Sequence, residues 1–252
     1  MSDLPEPIPA ATLVLMRAAP EGSPEILIME RTGTMAFAAG ALVFPGGRID
    51  PEDHEAAHRL GLGGEDAAAK VAAIRETIEE TAIVPAVRPA ASTNAARALR
   101  DGLEAGEKLP ALLAAHGLAL DLEALTPFAR WCPNFRETRR FDTLFFLAEA
   151  PADAPEPEVA AGEGARAFWA TAAAVLADVD AGRAHVIFPT RRNLERLACF
   201  GSIEEARADA ARHPVRKITP WVEERGGQKL VCIPDDAGYP VTSEPLETAR
   251  RR

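Results

Sequence analysis

Residues 66–81 contain neither Gly nor Pro, are rich in Ala, and hold Arg75-Glu76-Thr77-Ile78-Glu79-Glu80 in a single run. Such a stretch predicts a helix over 66–81, with Pro85 soon after its end. On a helix, positions i, i+3 and i+4 share a face, so Glu76, Glu79 and Glu80 project together. Three carboxylates that close repel one another unless positive charge sits among them. A hard divalent cation such as Mg²⁺ accepts an oxygen cluster of this kind while keeping waters and sharing substrate phosphates. Arg75 can pair with one carboxylate and fix its rotamer. A solvated acidic helix face would show the same run. Against that, Ala68, Val71, Ala72, Ile74 and Ile78 make one side of the helix apolar, so it packs. Its acidic edge then lies beside whatever the preceding loop presents.

That loop is Val43-Phe44-Pro45-Gly46-Gly47. Alone, Pro-Gly-Gly is a turn. Placed before an acidic helix, a Gly pair also lets the backbone approach a ligand or a metal closely. Around these two features, residues 12–16 and 25–30 read as strands joined by a turn, and 41–44 as a third. Residues 95–125 read as an inserted helical lobe, broken at Gly102, Gly106, Pro110 and Gly117. Residues 128–131 and 141–149 read as strands and 151–164 as a loop. Residues 170–181, 190–200 and 203–212 read as helices, and 241–252 as an exposed tail. Strands on both sides of the acidic helix, with helices following, predict an α/β layered domain over residues 1–240.

Phe44-Pro45-Gly46-Gly47, followed by Ala73-Ile74-Arg75-Glu76-Thr77-Ile78-Glu79-Glu80-Thr81-Ala82-Ile83, resembles a Nudix box, G-x5-E-x7-R-E-U-x-E-E-x-G-U with U a bulky apolar residue. Gly47 matches the first Gly, and Arg75, Glu76, Glu79, Glu80 and Ile83 match the second half. Arg75 stands 28 positions after Gly47 where the pattern has fourteen, so fourteen residues are inserted. Asp53 sits at the uninterrupted offset of the middle Glu, while Glu65 and Asp66 sit near the offset before Arg75. Thr77 replaces an apolar residue and Ala82 the last Gly. The interrupted box resembles the acyl-coenzyme A diphosphatase branch. So do Glu30-Arg31-Thr32 with Phe37, and Ala129-Arg130-Trp131 with Arg139-Arg140-Phe141-Asp142-Thr143. That branch carries an Arg where this chain has Ala36.

The resemblance implies a Nudix-type α/β/α sandwich with a mixed sheet, with insertions at about 48–65 and 86–125. It implies Mg²⁺- or Mn²⁺-dependent cleavage of the diphosphate linkage of a nucleoside diphosphate derivative, with coenzyme A or an acyl-coenzyme A among the candidates. Arg75, Glu76, Glu79 and Glu80 would be catalytic. Glu76, Glu79, Glu80 and the Gly46 carbonyl would hold metal. Arg31, Gly46, Gly47, Arg139 and Arg140 would contact substrate. The cations would neutralise diphosphate oxygens and lower the pKa of a bound water, with Glu79 or Glu80 taking the proton. Glu158 or Glu163 would be the assisting acid from a later loop, and Arg191 with Arg192 a second phosphate grip.

Two rivals stand beside this reading. His54-Glu55-Ala56-Ala57-His58 is H-E-x-x-H, the pattern of zinc proteases. Its local helix starts near Pro51 and must end near Gly61, too short for the long buried helix such enzymes use. A non-catalytic Nudix-like nucleotide sensor is the other. The net charge of −10 argues against general nucleic-acid binding. Three widely spaced cysteines suggest no disulfide framework and fit a reducing cytoplasm. No signal peptide or membrane span is expected. The expected partner is a small-molecule diphosphate; the oligomeric state is open, a homodimer included.

Overall fold

The computed structural model describes residues 5–19, 22–32, 40–134, 140–159 and 164–250. Its strands are β1 (Ile8–Arg17), β2 (Glu25–Glu30), β3 (Leu42–Val43), β4 (Gly46–Arg48), β5 (Val87–Arg88), β6 (Ala119–Leu120), β7 (Thr126–Trp131), β8 (Phe141–Glu149), β9 (Arg166–Thr171), β10 (Lys217–Ile218), β11 (Trp221–Arg225), β12 (Gln228–Cys232) and β13 (Ser243–Pro245). Its helices are α1 (Pro51–Arg59), α2 (Ala67–Thr81), α3 (Thr93–Glu104), α4 (Leu109–Ala115), α5 (Ala172–Asp180), α6 (Phe188–Leu197), α7 (Ile203–Arg212) and α8 (Leu246–Arg250).

β1 is the spine. It runs parallel to β8 from Ile8↔Phe141 to Met16↔Glu149, and β7 adds antiparallel to β8. β1 pairs with β2 only at Met16↔Ile26 and Arg17↔Glu25, after which the two strands fork. The run from β3 to β4 fills the fork: β3 pairs with β2, then β4 crosses to pair with β1 at Ala10↔Arg48, Ala11↔Gly47 and Thr12↔Gly46. β9 closes the other edge of β2. The result is a mixed sheet covered on both faces.

The period-2 alternation of a strand decides which side chain goes where. Leu13 and Leu15 of β1, with Phe146 of β8, bury against α2, α3 and α4. Val14 and Met16, with Phe145 and Leu147, bury against α5, α6 and α7. This is an α/β/α sandwich with a helical lobe, α3 and α4, set beside α2.

Several elements differ from the sequence reading. Pro45-Gly46-Gly47 does not form a free loop, because Gly46 and Gly47 belong to β4. In the lobe, Pro110 lies in the first turn of α4, where a missing N–H is harmless, and does not break a helix. β9 continues to Thr171, whose hydroxyl accepts the Ala174 N–H at 3.2 Å and starts α5. The expected tail is not loose. β13 pairs with β12, and Leu246 and Ala249 of α8 pack against the core.

Candidate functional site

α2 is held by its buried face. Val71, Ala72, Ile74, Thr77 and Ile78 are fully buried. Thr77 replaces an apolar residue at no polar cost, since its hydroxyl donates to the Ala73 carbonyl at 2.7 Å. The helix stops at Ala82, whose φ of 56° is left-handed. This is the conformation that Gly adopts most easily, which gives the family pattern's Gly its physical reason.

The acidic edge lands on β4. Glu80 is 5% exposed, and its Oε2 accepts the Gly46 N–H at 2.9 Å. Gly46 has φ of +154°, and a Cβ there would sit 2.5 Å from the Ala11 carbonyl oxygen, so only Gly fits. A Cβ at Gly47 would collide with the Glu76 carboxylate. The two glycines thus let one backbone strand pass between β1 and the carboxylates of α2.

Arg75 organises the rest. Its Nη1 donates to Glu76 Oε1 and to Glu79 Oε2, both at 2.9 Å. Nε and Nη2 donate to Asp53 Oδ1 and Oδ2 at 2.8 and 2.9 Å, and Nη2 also reaches the Arg48 carbonyl at 3.1 Å. Asp53 comes from α1, where its Oδ2 also accepts the Asp50 N–H at 2.9 Å in a capping box. Burial opposes the charge on Arg75, but the Asp53 hydrogen bonds and the Glu76, Asp53 and Glu79 carboxylates outweigh it and raise its pKa. The spacing ambiguity is thereby resolved: Asp53, at the uninterrupted offset from Gly47, braces Arg75. That offset was the only sequence signal for its role.

Four carboxylates (Asp50, Asp53, Glu76 and Glu79) surround the Arg75 guanidinium, leaving an excess of negative charge. Among the described residues no group of three His, Cys, Asp or Glu side chains stands ready to hold a metal ion alone. The donors nonetheless fit Mg²⁺ or Mn²⁺. They are hard oxygens, and Mg²⁺ commonly takes one or two carboxylates and completes its shell with water and phosphate.

No family model matches the chain. A NUDIX hydrolase from Alicyclobacillus acidocaldarius superposes with a TM-score of 0.70 at 32% identity, over 81% of this chain and 96% of that one. The chain belongs to the Nudix hydrolase family. The MutT protein from Methanosarcina mazei Go1 matches at 16% identity and a TM-score of 0.43, over 77% of this chain and 96% of its own. The NUDIX domain of Shewanella oneidensis NrtR, solved with ADP ribose, matches at 15% and 0.44, over 76% and 86%.

In this Nudix hydrolase the other candidate residues fall in different places. Arg31 follows β2 and Arg140 precedes β8; each has a buried Nε that meets no hydrogen-bond partner among the described residues. Arg139, Ala36, Phe37 and Glu163 lie outside the described residues. Glu158 is committed elsewhere: its Oε1 accepts from Arg97 at 2.5 Å and its Oε2 from Arg100 at 3.4 Å, both on α3. The Arg97 hydrogen bond is the main reason its pKa is lowered. The pair is exposed, and the Glu158 N–H donates to the Thr81 carbonyl at the end of α2 at 2.9 Å.

Arg191 and Arg192 are also corrected. Arg192 is 1% exposed and pairs with Glu195 and Glu244, while Arg191 pairs with Asp180 and Glu195. They tie α6 to α5 and β13 inside the fold. His54, Glu55 and His58 all face solvent on the nine-residue α1, whose buried face is Asp53, Ala56 and Ala57. Nothing there resembles the long buried helix of a zinc protease. No helix among the described residues is long and apolar enough to cross a membrane.

Proposed function

We propose that the protein hydrolyses the diphosphate linkage of a nucleoside diphosphate derivative, with coenzyme A and its acyl esters among the candidate substrates. Mg²⁺ or Mn²⁺ would be held by Glu76, Glu79, Glu80 and the Gly46 carbonyl. The observation that carries this reading is the seating of Glu76 and Glu80 on the glycines of β4, with Arg75 braced from behind by Asp53.

The three glutamates are not equivalent. Glu80 is nearly buried and fixed to the Gly46 N–H, so it holds β4 and the helix in register. Glu76 and Glu79 retain 15% and 23% side-chain exposure, so water reaches Glu79 most easily. Arg75 Nη1 orients both. We assign Glu79 to accept the proton of the attacking water, Glu76 and Glu80 to anchor cation charge, and Arg31 and Arg140 to meet phosphate oxygens. An orphaned guanidinium N–H is suited to that contact. A bound divalent cation supplies charge neutralisation at the diphosphate and acidifies water.

Glu79→Gln removes the base and keeps the shape. Turnover should fall about 10²–10⁴-fold, the usual contribution of a general base, with unfolding unchanged. A Gln variant as active as its parent on every diphosphate cleaved would remove this assignment.

A further inference from the structure

A second polar feature lies on the opposite face of the sheet from α2. A cavity of about 240 Å³ opens where the ends of β2, β3 and β9 meet the connection from α5 to α6, lined by Glu30, Gly40, Leu42, Arg166, Arg183 and His185. The walls are fixed by the backbone: Leu42 N–H donates to the His185 carbonyl at 2.9 Å, and Glu30 and Arg166 face each other in the β2–β9 register.

The donors are only partly used. A guanidinium offers five N–H groups. Arg166 gives its Nε–H to Glu30 Oε2 at 2.7 Å and lies over the Phe168 ring at 4.7 Å. Arg183 gives Nε and Nη2 to one oxygen of Asp178. Both pairs are open to water, with Arg166 at 62% and Arg183 at 64% side-chain exposure. Exposed pairs contribute little, so exchanging these partners for a ligand's oxygens costs little. With Asp178 behind Arg183, the site sets two guanidiniums and an imidazole against two carboxylates, so it is free of the negative excess of a molecule whose net charge is −10. The guanidinium N–H groups that those pairs leave over can take an anion's oxygens by charge-assisted hydrogen bonds.

The geometry points to this cavity as a subsite for a second anionic group of the substrate, a phosphate monoester or a carboxylate remote from the diphosphate that is cleaved. The inference rests on the diphosphatase reading and sharpens its substrate class. Gly40, in the cavity wall, and Gly46, beneath Glu80, are six residues apart on one run of chain, which spans at most about 22 Å. A nucleotide derivative with a charged arm reaches across that distance.

The test compares substrates that differ by one phosphate monoester, such as coenzyme A against its 3′-dephospho form and NADPH against NADH. Arg166→Gln and Arg183→Gln should each raise KM about tenfold for the phosphorylated member, the worth of one charge-assisted hydrogen bond, with kcat unchanged. KM for the other member should stay within about twofold of the parent, well short of that tenfold change. Equal changes for both members, or none, would overturn the subsite. Inorganic phosphate should compete only against the phosphorylated member. Equal inhibition of both would reassign the cavity to a free anion and overturn the proposal. A second readout needs no turnover: phosphate should shift the His185 ring resonances of the parent and leave those of Arg183→Gln in place. If no diphosphate is cleaved, the diphosphatase reading fails, while the His185 titration still decides whether the cavity binds an anion; unmoved resonances in the parent sink it.

Discussion

Asp53→Asn isolates the brace behind Arg75. The Asp53 side chain is 2% exposed and that of Arg75 13%, and two hydrogen bonds of 2.8 and 2.9 Å join them. Removing one member of a buried ion pair costs about 3–5 kcal/mol. Two features place this case below that range. Arg75 keeps Glu76, Glu79 and the Arg48 carbonyl, and the Asn carbonyl can still accept the Asp50 N–H. The expected loss is about 2–3 kcal/mol. For a chain of this length each kcal/mol is worth about 2–4 °C, so Tm should drop by about 4–12 °C. Arg75 also sets Glu76 and Glu79, so diphosphate hydrolysis should fall at least about tenfold as their geometry loosens. Circular dichroism on heating and a phosphate-release assay read both effects. An Asn variant within about 0.5 kcal/mol of the parent, the range of an ordinary surface change, and fully active would show that Asp53 does not position Arg75.

Gly47→Ala places a methyl group against the Glu76 carboxylate, the movable end of a side chain, so it should displace that carboxylate and abolish most turnover while changing urea unfolding by less than about 1 kcal/mol; parental activity would contradict the close approach. Tyr239 is the chain's single tyrosine, and burial pushes its pKa up from 10.0 to about 12, against the pull of Arg196 and the Trp131 hydrogen bond. Because the folded value is raised, its stabilising contribution is complete below about pH 10 and is lost as pH climbs through about 12. Phenolate absorbance should therefore appear only near pH 12 or when the fold opens, and its appearance at pH 10 in the folded protein would refute the burial argument.

The strands at the centre of the sheet and the acidic helix were legible because their apolar periodicity is strong and their burial is local. Leu13 and Val14, or Phe145 and Phe146, already declare two buried faces. What was missed depended on partners distant in sequence. β4 is a strand only because β1 forks from β2 and offers an edge at residues 10–12, which no property of Pro-Gly-Gly reveals. Most of β9 lies between the loop and the helix read from the sequence, and its last two residues were given to that helix; only β2 beside it makes it a strand. The C-terminal hairpin had a local sign, Gly226-Gly227 between β11 and β12, but no element was read there, and β13 reads as tail until β12 lies beside it. In the site, the three glutamates and Arg75 followed from helical spacing alone. Asp53 did not, since a bend through α1 brings it back 22 residues to Arg75. The pairing of Glu158 with Arg97 and Arg100 likewise joins residues about 60 positions apart, which no local pattern shows.

The most direct test of the account is hydrolysis of a diphosphate panel in ¹⁸O-water, with Mg²⁺ and with chelator, for the parent and for Glu76→Gln. The parent should place ¹⁸O in a phosphate of one product only when Mg²⁺ is present, and Glu76→Gln should show little turnover at the same metal concentration. Cleavage that is equally fast in chelator, or unaltered by the Gln substitution, would contradict the account.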